Sequence, residues 1–200
     1  MRKATLEFTG IALYSQSRCH SPENPKLNKE SPADYEARTW REKAHYDDDG
    51  RMVIPALAFK NAIAEAAKYL SIQIPGKGKS TYTKHFEAGI IVADDALLTI
   101  GGEVITRETV LGDTLHVPSD GKRGGGSRVF RTFPTVKSGW KATVEFIVVD
   151  DVITRDVFQQ HISQAGQLIG IGSFRVRNNG TRGRFVSTIS EWIDDYQFTI

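Results

Sequence analysis

Cysteine is almost absent: Cys19 is the one thiol in 200 residues. A single thiol excludes an internal disulfide and any thiolate-rich zinc or iron–sulfur centre, and it fits a reducing compartment. No stretch approaches the roughly 18 apolar residues of a membrane span. The basic opening "MRKATLEFTG" also lacks the apolar run of a signal peptide, so a cytoplasmic protein with no membrane partner is expected. Net charge is small, +2 at pH 7, and by itself names no partner. With 40% hydrophobic and 25% charged residues the chain is globular, long enough for one sizeable core, and free of internal repeats.

Where acid is missing says more than the total. Between Gly121 and Lys141 stand six Lys or Arg and no Asp or Glu. Residues 169 to 185, "IGIGSFRVRNNGTRGRF", hold four Arg, four Gly and no acid, and "PGKGKSTYTKH" carries Lys77, Lys79 and Lys84. Acids collect instead in "YDDDG", "VADDA", "VVDD" and the terminal "EWIDDYQF". Such segregation on a nearly neutral body is the footprint of a face for a polyanion. The acidic runs do not read as metal sites, because "YDDDG" has the carboxylates of a calcium loop without its spaced ligands and distant Glu. Neither a metal nor another cofactor is expected.

Periodicity sets the order of elements. "KATLEFTGIALY" alternates Leu6 and Phe8 against Thr5, Glu7 and Thr9, then changes phase at Gly10 so that Ile11 and Leu13 follow; this predicts a strand with a glycine bulge. Residues 15 to 50 are polar, contain Pro22, Pro25 and Pro32, and predict a long excursion without a core element. In "ALAFKNAIAEAAKYL" the residues Phe59, Ile63, Ala66, Ala67 and Leu70 recur at helical spacing. "AGIIVADDALLTIGGEVIT" supplies one or two strands, "HVPSDGKRGGGSRVFRTFPTV" a glycine-tipped excursion, and "KATVEFIVVDD" a strand with Val144, Phe146 and Val148 on one face. Thr154 caps a helix with the stripe Phe158, His161, Ile162, Ala165, Leu168 and Ile169, and "RFVSTIS" is a last strand. The order β-α-β-β-α-β predicts one α+β domain over 1–200 with insertions at about 15–50 and 118–137. Its expected form is a ferredoxin-like, RRM-type four-stranded antiparallel sheet with two helices on one face. The opposite face and its loops are then free for a ligand, although this fold alone fixes no function.

The glycines of 169–185 follow a helix and precede a strand, the reverse of a dinucleotide-binding fingerprint. There, Gly170 and Gly172 suit a backbone that approaches a phosphate, and Arg175, Arg177 and Arg182 suit charge-assisted phosphate contacts. A surface turn with arginines for solubility is the plainer alternative. The segment "RMVIPALAFKNAIAEAAKYL" resembles the entry to the first helix in the RAMP superfamily, the RRM-fold proteins of CRISPR effector complexes. "LIGIGSFRVRNNGTRGRF" resembles the glycine-rich loop before that superfamily's last strand. The insert after strand 1 and the excursion at 118–137 look like the web and thumb of its backbone subunits. "IPALAFKN" departs from the common motif by lacking its Gly-Ser pair, and the chain is shorter than most backbone subunits, which fits a compact or phage-borne relative.

The resemblance implies a non-catalytic subunit that binds single-stranded guide RNA along a basic face and assembles head to tail with copies of itself and with other CRISPR effector subunits. Lys122, Arg123, Arg128 and Arg131 suit phosphate tracking, and Phe130 or Phe133 suits base stacking, unless both rings close a hairpin core. Lys60 stands where the family's motif carries its lysine, which implies a contact to the RNA backbone. Arg18 and Trp40 belong to a flexible contact arm, with Trp40 a stacking or packing anchor. Two other readings stay open. Transcript-processing relatives use a general acid/base pair that commonly includes a His, for which His20 and His45 are candidates, and type III backbone subunits use an Asp in the strand-1 insert, for which Asp34 is the candidate. The third reading is a phage single-stranded DNA-binding protein.

Overall fold

The alternation at the start of the chain forms β1 (Arg2–Gly10), with Ala4, Leu6 and Phe8 buried. The computed structural model, which describes residues 1–19, 24–121 and 126–197, continues with β2 (Tyr14–Ser15), α1 (Pro32–Thr39), a 3-10 turn over Trp40–Lys43, β3 (Val53–Ile54), α2 (Ala56–Leu70) and α3 (Thr83–Ala88). Short strands β4 (Ile90–Val92), β5 (Ala96–Leu97), β6 (Thr99–Ile100) and β7 (Glu103–Val104) follow. Then come β8 (Leu111–Pro118), β9 (Arg128–Val136), β10 (Lys141–Val148), α4 (Arg155–Gln164), a π turn over Ala165–Ile169 and β11 (Phe185–Ile193).

Strands β11, β1, β10 and β4 pair antiparallel in that spatial order, which is the ferredoxin-like arrangement. β6 and β7 extend the far end of β10. The expected α+β, RRM-type core is therefore present, with α2 and α4 covering one face. Phe8 touches Phe59 of α2 at 4.7 Å and Phe185 at 5.1 Å between ring centroids, and Phe146 touches Phe158 of α4 at 5.3 Å. Each such buried side chain contributes about 1.5–3 kcal/mol relative to exposure. A one-residue slip would turn Leu6 and Phe8 to solvent, so the core fixes the register.

Three local expectations are corrected. Gly10 is the last residue of β1 and not a bulge; the register shift lies between Thr5 and Leu6 against β11. Gly10 is needed because a Cβ there would lie 1.9 Å from the Trp140 indole, and Ile11 and Leu13 beyond it are exposed. The stripe of the last helix holds through Phe158, His161, Ile162, Ala165 and Ile169, but Leu168 is 39% exposed. The π turn shifts the helical phase there, and Gly166 lets it sit against the Phe185 carbonyl, 2.1 Å from where a Cβ would stand.

The excursion at 15–50 also contains core-facing structure. Ser31 caps the start of α1, its hydroxyl accepting the Asp34 amide proton at 3.1 Å and donating to the Asp34 carboxylate at 2.6 Å. Thr39, Lys43 and Ala44 are buried. What hides this element from periodicity is that its inward side is polar, for a reason that lies in the hairpin it holds.

Candidate nucleic-acid interface

The sheet face opposite the helices is a poor seat for a polyanion. Its register places Lys3, Thr5, Glu7 and Thr9 beside Ile147, Glu145, Thr143 and Lys141 on one side, and beside Ile193, Glu191, Thr188 and Val186 on the other. Three carboxylates outnumber two ammonium groups, and Lys3 is already bound to Glu145 at 2.7 Å. These strand positions carry no aromatic ring on which a base could stack. The basic groups lie instead on the insertions.

The glycine-tipped excursion is a hairpin of β8 and β9, paired from Leu111↔Thr135 to Pro118↔Arg128. This pairing sorts its side chains onto two faces. One carries Asp113, Leu115, Val117, Arg131 and Phe133; the other carries Thr114, His116, Thr132, Phe130 and Arg128. Phe130 and Phe133, alternatives in the sequence, thus have separate fates. Phe133 is buried edge-to-face on Phe174 at 4.9 Å, whereas Phe130 is 71% exposed and lies tilted against His116 at 4.9 Å. Arg128 donates to the His116 carbonyl at 2.6 Å, and Arg131 to the Ser119 carbonyl at 3.3 Å. Lys122 and Arg123, at the tip, lie outside the described residues.

The arm around α1 grips this hairpin and is not a free contact arm. Glu36 accepts the Thr132 amide proton at 2.6 Å, Lys43 donates to the Thr132 carbonyl at 2.9 Å, and the two side chains pair with each other. Together they satisfy the edge of β9 as a neighbouring strand would. Lys43 lies 5.2 Å from the Phe133 ring centroid, and burial holds its pKa below the ordinary lysine value despite Glu36. Trp40 packs where Gly112 leaves room, with a Cβ there only 3.2 Å from the indole.

The loop before β11 meets the hairpin from the other side. Its backbone is knitted to β2 and to itself by Ser173 N–H to Ser15 carbonyl (2.7 Å), Gly183 N–H to Leu13 carbonyl (2.7 Å) and Ile171 N–H to Gly183 carbonyl (3.0 Å). Gly170 and Gly172 serve this knitting. Both have positive φ, and a Cβ on Gly172 would stand 2.4 Å from the Ser15 carbonyl oxygen. The arginines divide as well. Arg182 is buried, donating to Thr135 Oγ1 at 3.2 Å and pairing with Asp113 of the hairpin. Arg175 and Arg177 are more open and share Glu65 of α2.

Between hairpin and loop lies a cleft of about 940 Å³, lined by Arg131, Arg177, Asn178, Phe133, Phe174, Ser17, Ser173 and residues 117–121. The structure thus joins the two acid-free segments of the sequence at one concave site with a phenyl floor, with Asp120 the one carboxylate among the described residues of its lining. A smaller pocket of about 220 Å³ shares Ser17 and Ser173 with it and is lined by Arg18, His45, Gln16, Pro55 and Gly172. Burial, followed by the Arg18 charge, holds His45 below the ordinary imidazole pKa, so the ring is neutral at pH 7.

Other candidates lie apart from the cleft lining. Lys60 donates to the carbonyls of Glu87 and Ile90 and so ties α2 to the end of α3, with burial lowering its pKa. Lys77 and Lys79 are exposed on a turn beyond α2, and Lys84 is exposed on α3. Asp34 is engaged in the α1 cap, and His20 lies outside the described residues. Sequence reasoning missed Glu36, Glu65 and Asp113. Each pairs with a residue far along the chain, a relation that no local spacing encodes. Among the described residues no three His, Cys, Asp or Glu side chains converge on a metal site, and no helix is long and apolar enough to cross a membrane.

No protein-family model matches the sequence, and no curated protein matches it. Solved structures do. Cmr6 from Pyrococcus furiosus is similar over 94% of this chain and 98% of its own, at 15% identity and a TM-score of 0.49. A chain of a CRISPR RNA-guided surveillance complex is similar over 91% and 66%, at 8% identity and a TM-score of 0.36. A chain of a Type IV-B CRISPR complex is similar over 100% and 94%, at 8% identity and a TM-score of 0.50. Identity this low speaks for the fold alone, and the last of these likenesses, end to end on both chains, carries it. In fold, the chain is similar over its whole length to a chain of a Type IV-B CRISPR complex.

Proposed function

We propose that this chain binds single-stranded RNA, in the setting of a guide RNA, as a non-catalytic subunit of a CRISPR-type ribonucleoprotein that contains further copies of itself or other effector subunits. The observation that carries this reading is the cleft, where Arg131 and Arg177 face a common space floored by Phe133 and Phe174. Cationic side chains around an apolar floor are the ingredients of single-strand recognition: phosphates held by guanidinium groups and bases held by stacking. The acid-rich outer face of the sheet supports the same placement by exclusion.

The test is the mass of the purified protein by light scattering with absorbance at 260 and 280 nm, before and after ribonuclease. An RNase-sensitive assembly whose stoichiometry grows with RNA length is expected. A nucleic-acid-free monomer with no affinity for added RNA would reject the reading. One observation favours a second reading, metal-independent cleavage: neutral His45 and Arg18 line a pocket that shares Ser17 and Ser173 with the cleft. Cleavage in EDTA that His45→Ala abolishes would establish it. Equal binding of deoxy-oligonucleotides would favour the single-stranded DNA reading, since 2′-hydroxyl contacts would then count for nothing.

A further inference from the structure

Glu65 lies on α2 one turn before Tyr69, and its two carboxylate oxygens are taken by different arginines of the loop before β11. Oε1 forms an ion pair with Arg177 Nε at 3.0 Å, and Oε2 with Arg175 Nη2 at 3.1 Å. The Arg177 guanidinium also lies 5.8 Å from the Tyr69 ring centroid. One oxygen per guanidinium is the arrangement that the two non-bridging oxygens of a phosphodiester would offer the same pair. The side chains of Arg175 and Arg177 are 26% and 46% exposed, so these pairs are reachable from solvent and individually weak. Arg177 also lines the cleft.

We propose that Glu65 occupies, in the free protein, the anion seat that an RNA phosphate takes from it. On binding, Arg175 and Arg177 exchange carboxylate for phosphate, and Glu65, left beside that phosphate, opposes it. This rests on the RNA-binding reading above and adds a selectivity device to it. A small anion must displace a carboxylate already in place. A strand also held by Arg131 in the cleft presents its next phosphate at high local concentration and displaces Glu65 readily.

The experiment is anisotropy titration of a labelled oligouridine strand at several salt concentrations with four proteins: wild type, Glu65→Gln, Arg175→Ala/Arg177→Ala, and the triple variant. Glu65→Gln is expected to bind about 3- to 10-fold tighter at low salt. Its salt slope should steepen toward the ~0.7 that one more single-strand phosphate contact adds. In the double-arginine background the same substitution should change nothing. Weaker or unchanged binding by folded Glu65→Gln would overturn the proposal and make Glu65 a support that positions the arginines. An equal gain in both backgrounds would also overturn it, reducing the effect to net charge. If wild type binds no RNA, the RNA reading itself fails. The seat is then probed with pyrophosphate by calorimetry: binding by Glu65→Gln above that of wild type upholds it, and no binding by either ends it.

Discussion

Lys43→Met tests whether the arm around α1 holds the hairpin through charge. The side chains of Lys43 and Glu36 are 4% and 15% exposed, and the lysine bonds both the carboxylate and the Thr132 carbonyl. Removing the ammonium leaves a shielded carboxylate whose remaining hydrogen bond comes from the Thr132 amide, and leaves the Thr132 carbonyl without its donor. Breaking one side of a buried pair costs about 3–5 kcal/mol. For a chain of this size about 2–4 °C of Tm accompanies each kcal/mol, so a loss of roughly 6–20 °C is expected. Glu36→Gln combined with Lys43→Met keeps an acceptor for the Thr132 amide while removing both charges, so the double variant should be more stable than Lys43→Met alone. Thermal unfolding and hydrogen exchange at the Thr132 amide read both effects, because the hairpin can detach locally without global unfolding. A Tm within about 2 °C of wild type, together with full protection of that amide, would refute the clamp.

Gly172→Ala forces a Cβ to within 2.4 Å of the Ser15 carbonyl oxygen at a φ of +77°, so it should cost about 2–3 kcal/mol or more in urea unfolding, whereas Gly50→Ala, with the same sign of φ and open space, should cost less. Phe130→Ala should leave Tm unchanged yet weaken RNA binding by the ~1–3 kcal/mol of one stacked base, and unaltered affinity would remove Phe130 from the interface. His161 is fully buried, burial holds its pKa below the ordinary value, and its Nε2 has no hydrogen-bond partner among the described residues. The unfolded chain therefore takes up a proton there that the folded chain refuses. Stability should be level above about pH 6.5 and fall below it, by at most about 1.4 kcal/mol per pH unit for this ring. A urea midpoint in His161→Phe that drops as steeply with acid as in wild type would count against it.

The parts of the fold legible in the sequence are those built on one period. β1, α2, β10 and α4 each show an apolar repeat, and with β4 and β11 in chain order they give the ferredoxin-like sheet. What stayed hidden is structure whose inward side is polar or whose logic is pairwise. The α1 arm buries Lys43 and Thr39, which periodicity counts as surface. The two acid-free segments could be read as basic, but not as adjacent: the Arg182–Asp113 pair and the Phe133–Phe174 contact that join them link distant residues. Nor does composition separate an arginine that faces a ligand from one that holds the fold, since Arg177 and Arg182 sit five positions apart in the same loop with opposite roles in packing.

That separation bears on how the cleft would bind. Arg182 is spent on Asp113 and Thr135, Ser173 is bonded to Ser15, and Glu36 with Lys43 fixes β9 from behind. Both walls are therefore set before a ligand arrives, and little ordering cost is left for binding to meet. Substitutions should then fall into two groups. Arg131→Ala and Arg177→Ala remove charge from a wall that stays in place, so they should lower affinity and flatten its salt dependence with little change in Tm. Arg182→Ala leaves Asp113 unpaired and frees the loop from the hairpin, so it should lower Tm and affinity together, and Asp113→Ala should do the same although it removes a negative charge from beside the cleft. Tighter RNA binding by Asp113→Ala at unchanged Tm would show that this pair is mere charge at the rim and that the walls are not held by it.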